Sequence, residues 1–187
     1  MKKFINISLV FLFSIICLSC RNDNDSIPED VHEHDEIGKV VLKLTNKNDA
    51  TDVQTVNVIS GKTDNHLHVH AGHIYFAELD FQIKHDDHYH SSEEIEEEKD
   101  HHFITYSPAN ANIIVMRAAN DLVRTDGQKL GLKTEWTIDS AQSTGKMNIK
   151  LVHGATSVNQ NYPSATNQLG QTNGGETDVD ITLEVHE

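Results

Sequence analysis

Between His66 and His102 the chain reads HLHVHAGHIYFAELDFQIKHDDHYHSSEEIEEEKDHH, and nine of the 13 histidines fall inside that stretch. Imidazole is the commonest metal ligand and also the side chain that changes charge near neutral pH, so a cluster this dense points to metal binding or to pH sensing. His66, His68 and His70 stand two residues apart, and residues i, i+2 and i+4 of an extended strand share one face. Three imidazoles on one surface, with His73 close behind, can offer nitrogens at about 2 Å to a tetrahedral zinc ion. The bland alternative is a polar strand in water. His85-Asp86-Asp87-His88-Tyr89-His90 adds a second mixture of imidazole and carboxylate, and His101 and His102 add a pair beyond it. The candidate ligands are therefore His66, His68, His70, His73, His85, His88, His90, His101 and His102, with His32, His34 and His153 as additional ones.

Sulfur contributes little to this chemistry. The chain has two cysteines, Cys17 and Cys20, inside an N-terminal segment that reads as a lipoprotein signal: Lys2-Lys3, an apolar run from Phe4 to Leu18, then Leu18-Ser19-Cys20. Cleavage before Cys20 and acylation of its thiol leave no free cysteine, which excludes disulfides and thiolate zinc sites. The apolar run is too short for a membrane span, so the membrane is engaged through the lipid anchor alone. Copper(I) prefers soft sulfur, whereas Met116 and Met147 both fall on strand faces expected to be buried. Zinc is the favoured ion, with copper(II) and nickel as alternatives. The run Glu93 to Glu98 lacks the Asp/Asn/Gly spacing of a calcium loop and reads as a solvated charge run.

The formal net charge is −14, and loss of Lys2 and Lys3 with the leader makes the remainder more acidic still. A surface this acidic repels a polyanion, so no nucleic-acid partner is expected. No nucleophile or acid/base pair stands in a recognisable setting beside the histidines, so no enzyme is expected.

These side chains need strands to position them. Residues 1–19 form the leader, residues 20–37 an acidic lipidated tether broken by Pro28, and residues 38–187 the folded domain with its His-rich segment at 66–102. Val40, Leu42 and Leu44 alternate with polar or outward positions, and Val56 and Val58 follow a polar turn. The clearest alternation sets Tyr75, Ala77, Leu79, Phe81 and Ile83 against Glu78, Asp80 and Gln82. Ser91 and Glu94 have capping-box spacing for one or two helical turns. Further strands are expected over 102–106, 112–116, 134–138, 147–151 and 179–185, with Asp126-Gly127 and Ser143-Thr144-Gly145 as turns. No long amphipathic helix is legible. The fold class is all-β, an antiparallel immunoglobulin-like β-sandwich of about seven or eight strands, with an open barrel as the competitor.

From Glu36 onward the sequence resembles small outer-membrane lipoproteins of Bacteroidota associated with TonB-dependent receptors. The resemblance is carried by His102-Phe103-Ile104-Thr105-Tyr106-Ser107-Pro108, Leu130-Gly131-Leu132-Lys133, Leu151-Val152-His153-Gly154 and Glu176-Thr177-Asp178. It implies a β-sandwich exported as a lipoprotein to the outer membrane, with display at the cell surface suggested by the acidic run after Cys20. It supplies no ligand, and the cluster from His66 to His90 departs from the family's plainer sequences. Two functions follow from the residues themselves. One is capture of divalent zinc, for buffering or delivery to an outer-membrane transporter, with a TonB-dependent receptor as the implied partner. The other is a structural or adhesive surface module whose histidines respond to acid.

Overall fold

The computed structural model describes residues 36–187. The leader, Cys20, the tether up to residue 35, His32 and His34 lie outside the described residues, and Ile37, placed at the end of the tether, begins the first strand. The strands are β1 (Ile37–Asn46), β2 (Val53–Ile59), β3 (Lys62–Thr63), β4 (Leu67–His68), β5 (Ile74–His85), β6 (His88–Ser91), β7 (His102–Arg117), β8 (Lys133–His153), β9 (Ser157–Asn159), β10 (Pro163–Ser164), β11 (Asn167–Gln168), β12 (Gln171–Asn173) and β13 (Glu176–His186). One four-residue helix, α1 (Glu94–Glu97), interrupts them.

The fold is all-β. Nine strands make a single curled sheet in the order β3-β2-β1-β5-β8-β13-β4, with β6 on β5 and β7 on β8. Thirteen strands replace the expected seven or eight among the described residues. The surplus is β3, β4, β6 and β9 to β12, each only two to four residues long and so too short to show a period.

The alternation of β5 has its cause in its neighbour. Phe81, Leu79 and Ala77 stand opposite Val40, Leu42 and Leu44 of β1, and all six are buried. Side chains directly opposite on one face of an antiparallel pair pack against each other, and this fixes the register, because a slip by one residue would turn every apolar group outward. On β13, Val179, Ile181, Leu183 and Val185 point into the same core as predicted.

Ser143-Thr144-Gly145 is not a turn. β8 runs through it for 21 residues, pairing with β5 at Lys133–Thr137 and with β13 from Lys146 to His153. The polar, glycine-containing stretch marks the place where β8 leaves one partner for another, and β7 carries register shifts between Ala109 and Ala111 and between Asn112 and Ile113 at the same level. Gly145 is needed there because a Cβ would collide with the Val185 carbonyl. The expected break between the strands at 102–106 and 112–116 is likewise absent, since β7 is continuous over 16 residues.

Three further expectations need correction. Ser91 ends β6, and the helix is capped by Glu93 with no side-chain bond, so the capping box does not form. Met116 lies half-buried on the outer face of β7 while Val115 and Arg117 point inward; Met147 is fully buried as expected. Strand pairing is not wholly antiparallel, because β4 runs parallel to β13 with Leu67 opposite Val185 and His68 opposite His186.

That parallel pair is tied to β2 by one amide. Gln54 donates from Nε2 to the His68 carbonyl at 2.6 Å and accepts the His68 N–H at 2.8 Å, so its side chain does for β4 what a neighbouring strand would do. Inside the sheet, Arg117 is 4% exposed and donates to the Ile104 carbonyl at 2.7 Å and the Lys129 carbonyl at 2.9 Å, with its guanidinium 4.3 Å from the Phe103 ring centre. Burial pulls its pKa down to about 10, which leaves it charged at neutral pH.

Candidate metal centre

Ring contacts sort the described histidines into separate patches. His66, His68 and His70 do share the outer face, because Leu67 and Val69 take the inward positions and are buried. His66 lies 4.4 Å from His68 between ring centres, and 4.8 Å from His186 on β13. Glu184, one outward position earlier on β13, stands 3.7 Å from Nε2 of His186. A cleft of about 340 Å³ opens beside this group, lined in part by Asn110, Lys146, Glu184 and His186.

His70 turns away to meet His73 at 5.3 Å. The His73 ring is committed elsewhere. Asn46 accepts the Asn48 N–H through Oδ1 and gives its amide protons to Asp52 and to Nδ1 of His73, both at 3.0 Å. Nδ1 therefore accepts, the neutral ring carries its proton on Nε2, and its lone pair is engaged.

On the β5–β6 hairpin His85 stands opposite the exposed His88, and its ring centre lies 6.3 Å, diagonally, from that of His90. His85 lies 3.4 Å from the exposed Asp86 carboxylate. The ring contacts of His101 and His102 are made with His153, at 5.8 and 5.0 Å, and not with the hairpin histidines. β7 and β8 explain this, since His102 and His153 are direct cross-strand neighbours at the end of the ladder.

Among the described histidines His102 is the buried one, at 3% exposure. Its Nδ1 is 3.1 Å from the Glu98 carbonyl at the C-terminal cap of α1, and Nε2 is 3.8 Å from the Asp178 carboxylate. Burial holds the His102 pKa below its ordinary value and nearby His153 adds to the lowering, against the Glu98 carbonyl and the Asp178 and Glu94 carboxylates. The unfolded chain thus takes up a proton at a pH where the folded one does not. His102 contributes stability that is fully present above about pH 6.5 and is lost as pH falls through the lower folded-state value. In metal-free protein, the urea midpoint is expected to fall as pH drops below about 6.5, and less so in His102→Gln; identical profiles for the two proteins would count against this assignment.

Among the described residues, no three His, Cys, Asp or Glu side chains already converge as a metal cage. Ring spacing nevertheless fits shared ligation. With bonds of about 2.0 Å and tetrahedral angles, two imidazoles on one zinc ion place their ring centres about 5 Å apart. The two groups containing His66 and His153 have that spacing.

Sequence reasoning missed three participants in these groups: His186, Glu184 and Asp178. The outward phase of His186 and Glu184 was readable from the alternation of β13, but their approach to His66 depends on a parallel pairing between distant segments that leaves no local signal. Asp178 sits where the β13–β8 register shifts, between Thr177 and Val179.

Comparison with protein-family models, curated proteins and solved structures finds no match to this chain. The functional reading therefore rests on geometry and chemistry.

Proposed function

We propose that the protein is a lipid-anchored outer-membrane module that captures divalent transition metal, zinc first, and buffers it or hands it to a transporter of the TonB-dependent kind. One observation carries the reading. Histidines far apart in sequence meet in space twice, His66 and His68 with His186, and His101 and His102 with His153. Clustering within a local run follows from composition alone, whereas assembly across strands requires the fold. Carboxylates stand beside both groups, Glu184 near His186 and Asp178 near His102, which suits zinc's acceptance of nitrogen and oxygen together. Copper(II) and nickel take the same imidazoles, so metal competition decides between them. In this reading Cys20 supplies the anchor.

The test is direct titration of untagged, metal-stripped protein with zinc, copper(II) and nickel at about pH 7.5, followed by thermal melting. Zinc is expected to bind stoichiometrically and to raise the melting temperature as occupancy grows. Joint replacement of His66, His68 and His186 by alanine is expected to weaken zinc at one site by roughly tenfold with the metal-free fold intact. A melting temperature indifferent to zinc would sink the reading and favour the acid-responsive surface module.

A further inference from the structure

We infer that His102, His153 and Asp178, joined by His101, form the tightest zinc site of this module, an assignment that deepens the metal-binding reading and rests on it. The first ground is the state of the His102 ring. A carbonyl oxygen can only accept, so the 3.1 Å contact with Glu98 places a proton on Nδ1 and leaves the lone pair of the neutral ring on Nε2. A backbone carbonyl behind Nδ1 with Nε2 presented forward is the arrangement that orients histidine for a metal. The Glu98 carbonyl also accepts the His101 N–H at 2.8 Å, which ties the end of α1 to both histidines.

The second ground is what Nε2 faces. Asp178 Oδ2 is 3.8 Å away, so a carboxylate oxygen stands opposite the lone-pair nitrogen of the neutral ring. That distance is too long for a hydrogen bond. Two ligands of one tetrahedral ion stand about 3.3 Å apart, so a small closure around a cation turns this opposition into coordination. Asp178 owes its position to the register shift between Thr177 and Val179, and a bulge of this kind re-aims a side chain that regular pairing would send elsewhere.

The third ground is the ladder itself. His102, His153 and Glu176 lie in one cross-strand row over β7, β8 and β13, so the backbone holds the two imidazoles side by side before any metal arrives. The His66 group also holds a cross-strand pair, His68 opposite His186, but on the two-residue parallel strand β4, with His66 outside the ladder. Less ordering entropy is lost on binding at His102, whose ring is already immobilised by burial.

The experiment is zinc competition against a chromophoric chelator, using the full chain, with three variants compared with the natural protein. His153→Ala and Asp178→Asn are each expected to weaken the tightest site by about 10- to 100-fold, while joint replacement of His66, His68 and His186 leaves it unchanged. Cobalt(II) gives an independent signature, because loss of one ligand from a tetrahedral site should alter the visible absorption of the cobalt-loaded protein. His102 stays in place, since its burial would confuse loss of metal with loss of fold; melting of each metal-free variant checks that His153→Ala and Asp178→Asn fold as the parent does. Zinc bound with undiminished affinity by both single variants, with an unaltered cobalt spectrum, overturns the assignment and leaves the broader metal-binding reading standing. Natural protein that takes up no zinc overturns both.

Discussion

Gly170→Ala is expected to cost about 3 kcal/mol of unfolding free energy, which for a domain of this size lowers the melting temperature by about 10 °C. Two effects combine. Gly170 has φ of +85°, a left-handed conformation that costs an L-residue about 1–2 kcal/mol. An added Cβ would also collide with Nη2 of Arg117 and lie 3.0 Å from the Phe103 ring. The guanidinium would have to leave the Ile104 carbonyl, and a hydrogen bond to a charged group contributes about 1.5–3 kcal/mol. Gly131 meets the same guanidinium from another side, so Arg117 lies between two glycines that give it room. In an Arg117→Met background the Gly170 substitution should cost only its backbone part, about 1–2 kcal/mol, because no guanidinium remains to be displaced. Urea denaturation of the four proteins measures this coupling, and strictly additive losses would show that Gly170 answers to something other than Arg117.

Asp121→Ala should be about as damaging, near 3 kcal/mol, for a different reason. The carboxylate is 5% exposed and accepts the Gly131 N–H at 2.7 Å and the Lys133 N–H at 2.9 Å. Alanine leaves two backbone donors without their acceptor, at about 1–3 kcal/mol each when water cannot reach them. Asp121→Asn keeps the volume but turns an NH₂ toward one of those donors, so it should recover only part of the loss. Equal stability of Asp121→Ala and the natural protein would mean that water replaces the carboxylate at both amides.

These two residues also show where sequence reading stops. Strands whose apolar residues alternate over several positions were legible, as β1, β5 and β13 are, because burial of one face imposes a period of two on every side chain. Arg117 breaks that rule from inside. It occupies an inward position after Ile113 and Val115, and its partners Phe103 and Ile104, Lys129 and Gln168 come from three places in the chain. No window of sequence contains that constellation. Glycine and polar residues at Ser143-Thr144-Gly145 misled in the opposite sense, since they look like a turn and serve instead a change of strand partner.

The candidate site divides in the same way. Composition alone singled out the histidines, and strand phase put His66, His68 and His70 on one surface. Phase could not say which histidines from elsewhere would join them, because that depends on β4 lying beside β13 and on His102 lying beside His153. Asp178 is the hardest to foresee, since the register shift that directs it exists only once β13 is paired with β8.

The place of β13 in the sheet bears on when the protein comes into being. β13 lies between β8 and β4, and it sets Val185 beside Leu67 across roughly 120 residues of intervening chain. A chain emerging in order, whether from the ribosome or through a translocation channel, holds His66 and His68 long before it holds their counterpart His186. β8 and His153 likewise wait for Asp178. An incomplete chain therefore carries His66, His68 and His153 without the β13 residues that stand beside them in the folded domain, and the groups proposed to hold metal are complete only when synthesis or passage has reached residues 176–186.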